Sequence, residues 1–113
     1  MTEQEFQEYM YAQVVAEQIR GGEFAGKIRP KIRCASGWAA SIQASNLHYS
    51  TPRLDGLEAY SAGEIGFPTS VSPELLPYAE NDDDESDKAN GVFPYVPVSV
   101  IVDIINNEGG IVA

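Results

Sequence analysis

Arg33, Gln43, His48, Tyr49 and Arg53 bring together two guanidinium groups, an amide, an imidazole and a phenol in one short stretch of this chain. Such a set suits the binding of an anion that carries a ring. A guanidinium offers a planar fork to phosphate, an aromatic face stacks on a base, and amides or hydroxyls read a base edge. Trp38, Phe93 and Tyr95 are further ring candidates. The stretch they belong to, residues 27–53 (KIRPKIRCASGWAASIQASNLHYSTPR), holds five of the chain's seven Lys and Arg residues, its single His and its single Trp, and no carboxylate. It is +5 in a chain of net charge −10, so the remaining residues carry −15. A basic patch in so acidic a protein calls for either an anionic ligand or the protein's own carboxylates. The second alternative, a solvated strand face set against an acidic loop, fits the charge equally well.

Catalysis is harder to assemble from these residues. A nucleophile would have to be Cys34 or a Ser placed beside His48 with an orienting acid. Cys34 falls on an apolar face and reads as core. The carboxylates concentrate in residues 80–87, too solvated a run to hold general acid–base geometry. That run resembles a calcium loop in composition only, lacking its glycine and terminal glutamate in register. With one Cys there is no internal disulfide and no Cys-rich zinc site. No phosphate-cradling glycine motif is present. The expectation is a binding protein, with no catalytic residue, metal or cofactor.

The elements that must position the candidate residues follow from periodicity. Residues 2–20 read as a helix. Thr2 and Glu5 match a capping box, Phe6, Tyr9, Met10 and Val14 form a stripe, and Gly21 and Gly22 end it. Residues 27–44 alternate as a hairpin with Ala35, Ser36 and Gly37 at the turn. Ile28, Pro30, Ile32 and Cys34 are assigned to its apolar face, and Lys27, Arg29, Lys31 and Arg33 to its polar face. On the return arm Trp38, Ala40, Ile42 and Ala44 face in, while Ala39, Ser41, Gln43 and Ser45 face out. Pro30 makes the first arm an edge, which is a motive for self-association.

Residues 46–56 form a polar loop, and residues 58–67 a strand with Gly63 and Gly66 marking a bulge or a close approach. Ser72-Pro73-Glu74 starts a helix that Pro77 keeps short. Residues 80–90 read as a mobile acidic loop. Residues 92–96 suit a short strand. From Pro97, Val98, Ile101, Val102 and Ile105 mark a helix that Gly109 and Gly110 stop, although the β-branched content also fits a strand. The fold class is α+β in a single domain, 1–113: a small, mainly antiparallel sheet flanked by an N-terminal and a C-terminal helix.

The net charge opposes direct binding to nucleic acid or to membranes, no apolar run is long enough to span a bilayer, and the acidic first residues are unlike a signal peptide. These features predict a soluble cytoplasmic protein.

Residues 31–53 (KIRCASGWAASIQASNLHYSTPR), the acidic segment, and residues 94–110 (PYVPVSVIVDIINNEGG) resemble small acidic proteins encoded by tailed bacteriophages and prophages, of the counter-defence type. The resemblance implies a cytoplasmic role in an infected bacterial host, by one of two mechanisms. One is a sponge that sequesters a cyclic nucleotide or a cyclic ADP-ribose-like immune signal. The other is an inhibitor whose acidic surface mimics nucleic acid and occupies a basic groove of a host defence protein. The net charge favours the inhibitor. The local basic patch favours the sponge, because mimicry leaves the patch without a role.

Overall fold

A computed structural model describes residues 1–21, 28–79 and 91–112. The acidic run and Lys27 lie outside the described residues. In chain order the elements are α1 (Glu3–Arg20), β1 (Ile32–Arg33), β2 (Ala39–Gln43), β3 (Ala62–Gly66), a 3-10 turn (Leu76–Tyr78), β4 (Val92–Pro97) and α2 (Val98–Asn107). The strands form one antiparallel sheet in the order β1-β2-β3-β4, and the fold is α+β.

The start of α1 is fixed by its first residues. Glu5 N donates to Thr2 Oγ1 at 3.1 Å and Thr2 N to Glu5 Oε1 at 2.8 Å, so each satisfies a donor the helix leaves open. These bonds hold the Glu5 carboxyl below its usual range. Phe6, Met10 and Val14 are buried along one stripe, and Gly21 ends the helix at φ +80°. α2 needs no loop before it. Pro97 closes β4 with φ −57° and ψ 143°, and Val98 N donates to Ser61 O at 3.0 Å. Val98, Ile101, Val102, Ile104 and Ile105 are buried, each contributing about 1.5–3 kcal/mol by transfer from water. Both helices meet the inner face of the sheet: Phe6 and Met10, Ile42, Gly63, and Val98 and Ile101 line one narrow gap.

The hairpin departs from its expected alternation on both arms. On the return arm Ala39, Gln43 and Ser45, expected to face out, are buried, with Gln43 turned to the main chain of Arg29 and Ser45 to His48. On the first arm Ile32 and Cys34 are buried and Lys31 and Arg33 exposed, as period two requires. Before Lys31 the pattern reverses: Ile28 is 46% exposed and Arg29 only 3%. Pro30 and Lys31 both face solvent, so one extra residue turns the chain over. Pro30 has no N–H to give to a ladder, and the side chain of Gln43 bridges the gap instead. Its Oε1 accepts Arg29 N at 2.7 Å, and its Nε2 donates to Arg29 O at 2.7 Å. The expected strand over residues 58–67 is also shorter, because residues 57–61 pack as a loop and pairing begins at Ala62. The rim of β1 is taken up by the chain's own tail. Cys34 bridges Ile111, and Val112 N donates to Arg33 O at 2.8 Å.

Pairing of β3 with β4 carries a bulge. Gly63 faces Val96 and Ile65 faces Phe93, so Glu64 stands opposite both Pro94 and Tyr95. Tyr95 takes a left-handed φ of +53°, unusual for a side chain of its size. Gly63 is the close approach anticipated for it: a Cβ there would lie 3.2 Å from Gln43 O.

Candidate functional site

The bulge aims a backbone donor out of the sheet, and the loop after β2 meets it. Tyr95 N donates to Tyr49 O at 3.0 Å, while Tyr49 N donates to Glu64 Oε2 at 2.9 Å. The Tyr49 backbone is therefore held on both sides, by β4 and by a carboxylate rising from β3. Thr51 continues the attachment. Its N donates to Ala62 O at 3.0 Å and its O accepts Ser61 N at 2.9 Å. Asn46 N reaches Asp55 Oδ1 at 2.9 Å, tying the two ends of the loop together. Inside the turn the one hydroxyl hydrogen of Ser50 is shared between Pro52 O at 3.0 Å and Ser45 O at 3.3 Å, and both serines are buried.

That framework displays two rings and a cation. Tyr49 and Tyr95 lie 5.8 Å apart between centroids at 45°, and they are 39% and 45% exposed. Arg53 places its guanidinium carbon 5.0 Å from the centroid of Tyr49, within cation–π range. Among the described residues Arg53 has no carboxylate partner. His48 is half-buried beside them, with Nδ1 2.6 Å from Ser45 Oγ. Burial pushes its pKa down; Glu64 and Asp55 oppose that shift, while Arg29 and Arg53 add to it.

His48, Tyr49 and Arg53 thus come together, as anticipated for one site. Gln43 and Arg33 are placed otherwise. Gln43 is buried, and its amide hydrogens go to Arg29 O and to Ser41 Oγ, which leaves neither for a ligand. Arg33 pairs with Ala39, four positions along β2 from Gln43, a separation of about 13 Å at strand rise. Of the ring candidates Tyr95 joins Tyr49, whereas Phe93 is core and Trp38 is buried with Nε1 donating to Ser70 O at 2.9 Å. Two contributors were not singled out from the sequence, Glu64 and Ser45. The signal for Glu64 was a lone carboxylate on the outward side of an otherwise small and apolar strand, AGEIG.

Arg29 shows the other use of a cation. Its Nε donates to Met10 O at 3.0 Å and its Nη1 to Ala44 O at 2.7 Å, and its guanidinium carbon lies 5.9 Å from the Tyr60 ring centroid. Among the described residues Nη2 has no hydrogen-bond partner, and burial pulls the group below its ordinary pKa. It joins α1 to β2 from inside.

Ser45 beside His48 has the composition of a nucleophile–base pair, but Ser45 is 0% exposed and its oxygen also accepts Leu47 N at 3.0 Å. A hydroxyl in that position cannot reach an external substrate. Cys34 is buried and its thiol is pushed up by desolvation, the reverse of activation. Among the described residues no group of three or more His, Cys, Asp or Glu side chains is placed to hold a metal, and no helix is long and apolar enough to cross a membrane. Set against known protein families, curated proteins and solved structures, the chain matches none.

Proposed function

We propose that this protein is a non-enzymatic, cytoplasmic phage counter-defence factor that binds and sequesters a phosphate-bearing nucleotide immune signal. The observation that carries the reading is Arg53, a cation without a carboxylate partner among the described residues, held over the exposed ring of Tyr49 with Tyr95 beside it. In a chain of net charge −10 this pairs a phosphate-binding fork with a stacking surface. The phage context is supplied by the resemblance of residues 31–53 and 94–110. Self-association belongs to the same reading, since Leu54, Phe67, Tyr49 and Tyr95 are all exposed.

Thermal melting of the pure protein with cyclic AMP, cyclic di-AMP, cyclic di-GMP and cyclic ADP-ribose tests it. At least one should raise the melting temperature by mass action and be recovered chemically intact after denaturation. A hydrolysed product would overturn the non-enzymatic assignment. No shift with any of the four would overturn the sponge and favour the acidic inhibitor, for which the exposed Glu3, Glu5 and Glu8 of α1 supply a surface. Light scattering at a mass above 12.3 kDa is expected, and a single mass at that value would exclude self-association.

A further inference from the structure

Ser45 has one hydroxyl hydrogen and no exposure to water. Its oxygen already accepts Leu47 N, and the acceptor within reach of its hydrogen is His48 Nδ1, at 2.6 Å. A buried hydroxyl donates where it can, so Nδ1 is the unprotonated nitrogen and the neutral ring carries its proton on Nε2. Nε2 lies on the other side of a half-buried ring and has no partner among the described residues. Protonating the ring would place a second hydrogen between Nδ1 and Oγ and leave the Ser45 hydroxyl without its acceptor.

Resting on the sponge reading and deepening it, we propose that His48 is a specificity residue. Ser45 locks it as the Nε2–H tautomer, so it offers the bound nucleotide one uncharged donor for a carbonyl, ring-nitrogen or ribose oxygen acceptor. Charge for the phosphate is left to Arg53. The groups that face the ring divide by sign: Glu64 from β3 and Asp55 from the loop favour the imidazolium, while Arg29 before β1 and Arg53 disfavour it. Desolvation outweighs the two carboxylates, and the neutral form prevails.

A single His makes the test direct, because nitrogen-15 NMR of the imidazole needs no assignment. The ligand-free protein should show a pyrrole-type Nε2, a pyridine-type Nδ1 and a titration midpoint below the ordinary 6.5. Ser45→Ala should mix the tautomers; if that variant does not fold, the wild-type spectrum decides alone. With cyclic ADP-ribose as probe, His48→Gln, which keeps an N–H at the outer position, should bind within about threefold of wild type. His48→Ala should lose roughly two- to tenfold, the worth of one neutral hydrogen bond, and wild-type affinity should stay flat from the ordinary 6.5 up to about pH 8. An Nδ1–H tautomer, an imidazolium at neutral pH, or equal losses in the two variants would overturn the proposal. If cyclic ADP-ribose does not bind, whichever of the other three cyclic nucleotides does bind serves as the probe. Failure of all four would overturn the reading role together with the sponge, while the tautomer would stand or fall on the spectrum.

Discussion

Arg29 and Arg53 leave the same basic stretch in opposite directions. Arg29 is drawn inside, held by two main-chain carbonyls and a ring, and joins α1 to the end of β2. Arg53 stands outside on a loop, over a ring and without a carboxylate among the described residues. A buried guanidinium is tolerated only because its surroundings replace most of its water, and those surroundings then depend on it. An exposed one adds little to stability and remains free to meet a ligand. Equal charges in sequence therefore divide into a structural cation and a displayed one, and what separates them is the turn-over of the chain at Pro30.

The largest effect should come from the inner end. Arg29→Ala leaves a void and removes the side-chain hydrogen bonds to the carbonyls of Met10 and Ala44, at a cost of about 2–4 kcal/mol, so melting should drop by roughly 10 °C. Gln43→Ala should follow at about 1–3 kcal/mol, since it orphans the main-chain groups of Arg29. If either variant melts like wild type, the inner arginine is not structural.

Arg53→Ala should show the reverse signature, about 1.5–3 kcal/mol lost from binding, ten- to a hundredfold in affinity, with stability changed by less than about 0.5 kcal/mol. A large melting shift without an affinity change would erase the distinction. Tyr95→Gly should move the two readouts apart within one variant. Relief of the left-handed conformation adds about 1 kcal/mol of stability, whereas loss of the ring weakens binding. The smallest effect is that of pH. The folded-state pKa of His48 is depressed, so its contribution is present above the ordinary 6.5 and is lost as pH falls through that value toward the lower folded one. Melts between about pH 7.5 and 5.5 should decline, and His48→Gln should flatten the decline.

Much of this architecture was legible because local chemistry and burial agree. Thr2 and Glu5 form the reciprocal cap their spacing announces, and Val98, Ile101, Val102 and Ile105 all face the core. Gly109 and Gly110 end α2 at φ +89° and +87°. Where a side chain substitutes for backbone, periodicity fails. Gln43 completes the ladder beside Pro30, and no count of alternating residues reveals that Arg29 then points inward. Within the site His48, Tyr49 and Arg53 were legible as loop neighbours. Their link to Glu64 and Tyr95 was not, since it depends on a bulge and a left-handed residue in strands distant along the chain. Arg33 and Gln43 looked like partners of that loop because polarity in sequence does not distinguish a group facing a ligand from one facing its own backbone.

The tail on the rim of β1 bears on how the molecule reaches and leaves its folded state. Pairing among β2, β3 and β4 joins successive segments, whereas the bridge from Cys34 to Ile111 closes a long separation in sequence and is expected to form after them. Gly109 sits where a Cβ would come within 2.9 Å of the Ala35 Cβ, so the fit at this junction is tight. The same contact rests on one isolated bridge and a few main-chain bonds, among them Val112 N to Arg33 O and Ala35 N to Gly110 O, and should open before the core. Fraying of residues 110–112 bares the unpaired N–H and C=O groups of β1 while the core stays intact. Aggregation through that strand would then follow the frequency of a local opening, independent of global unfolding.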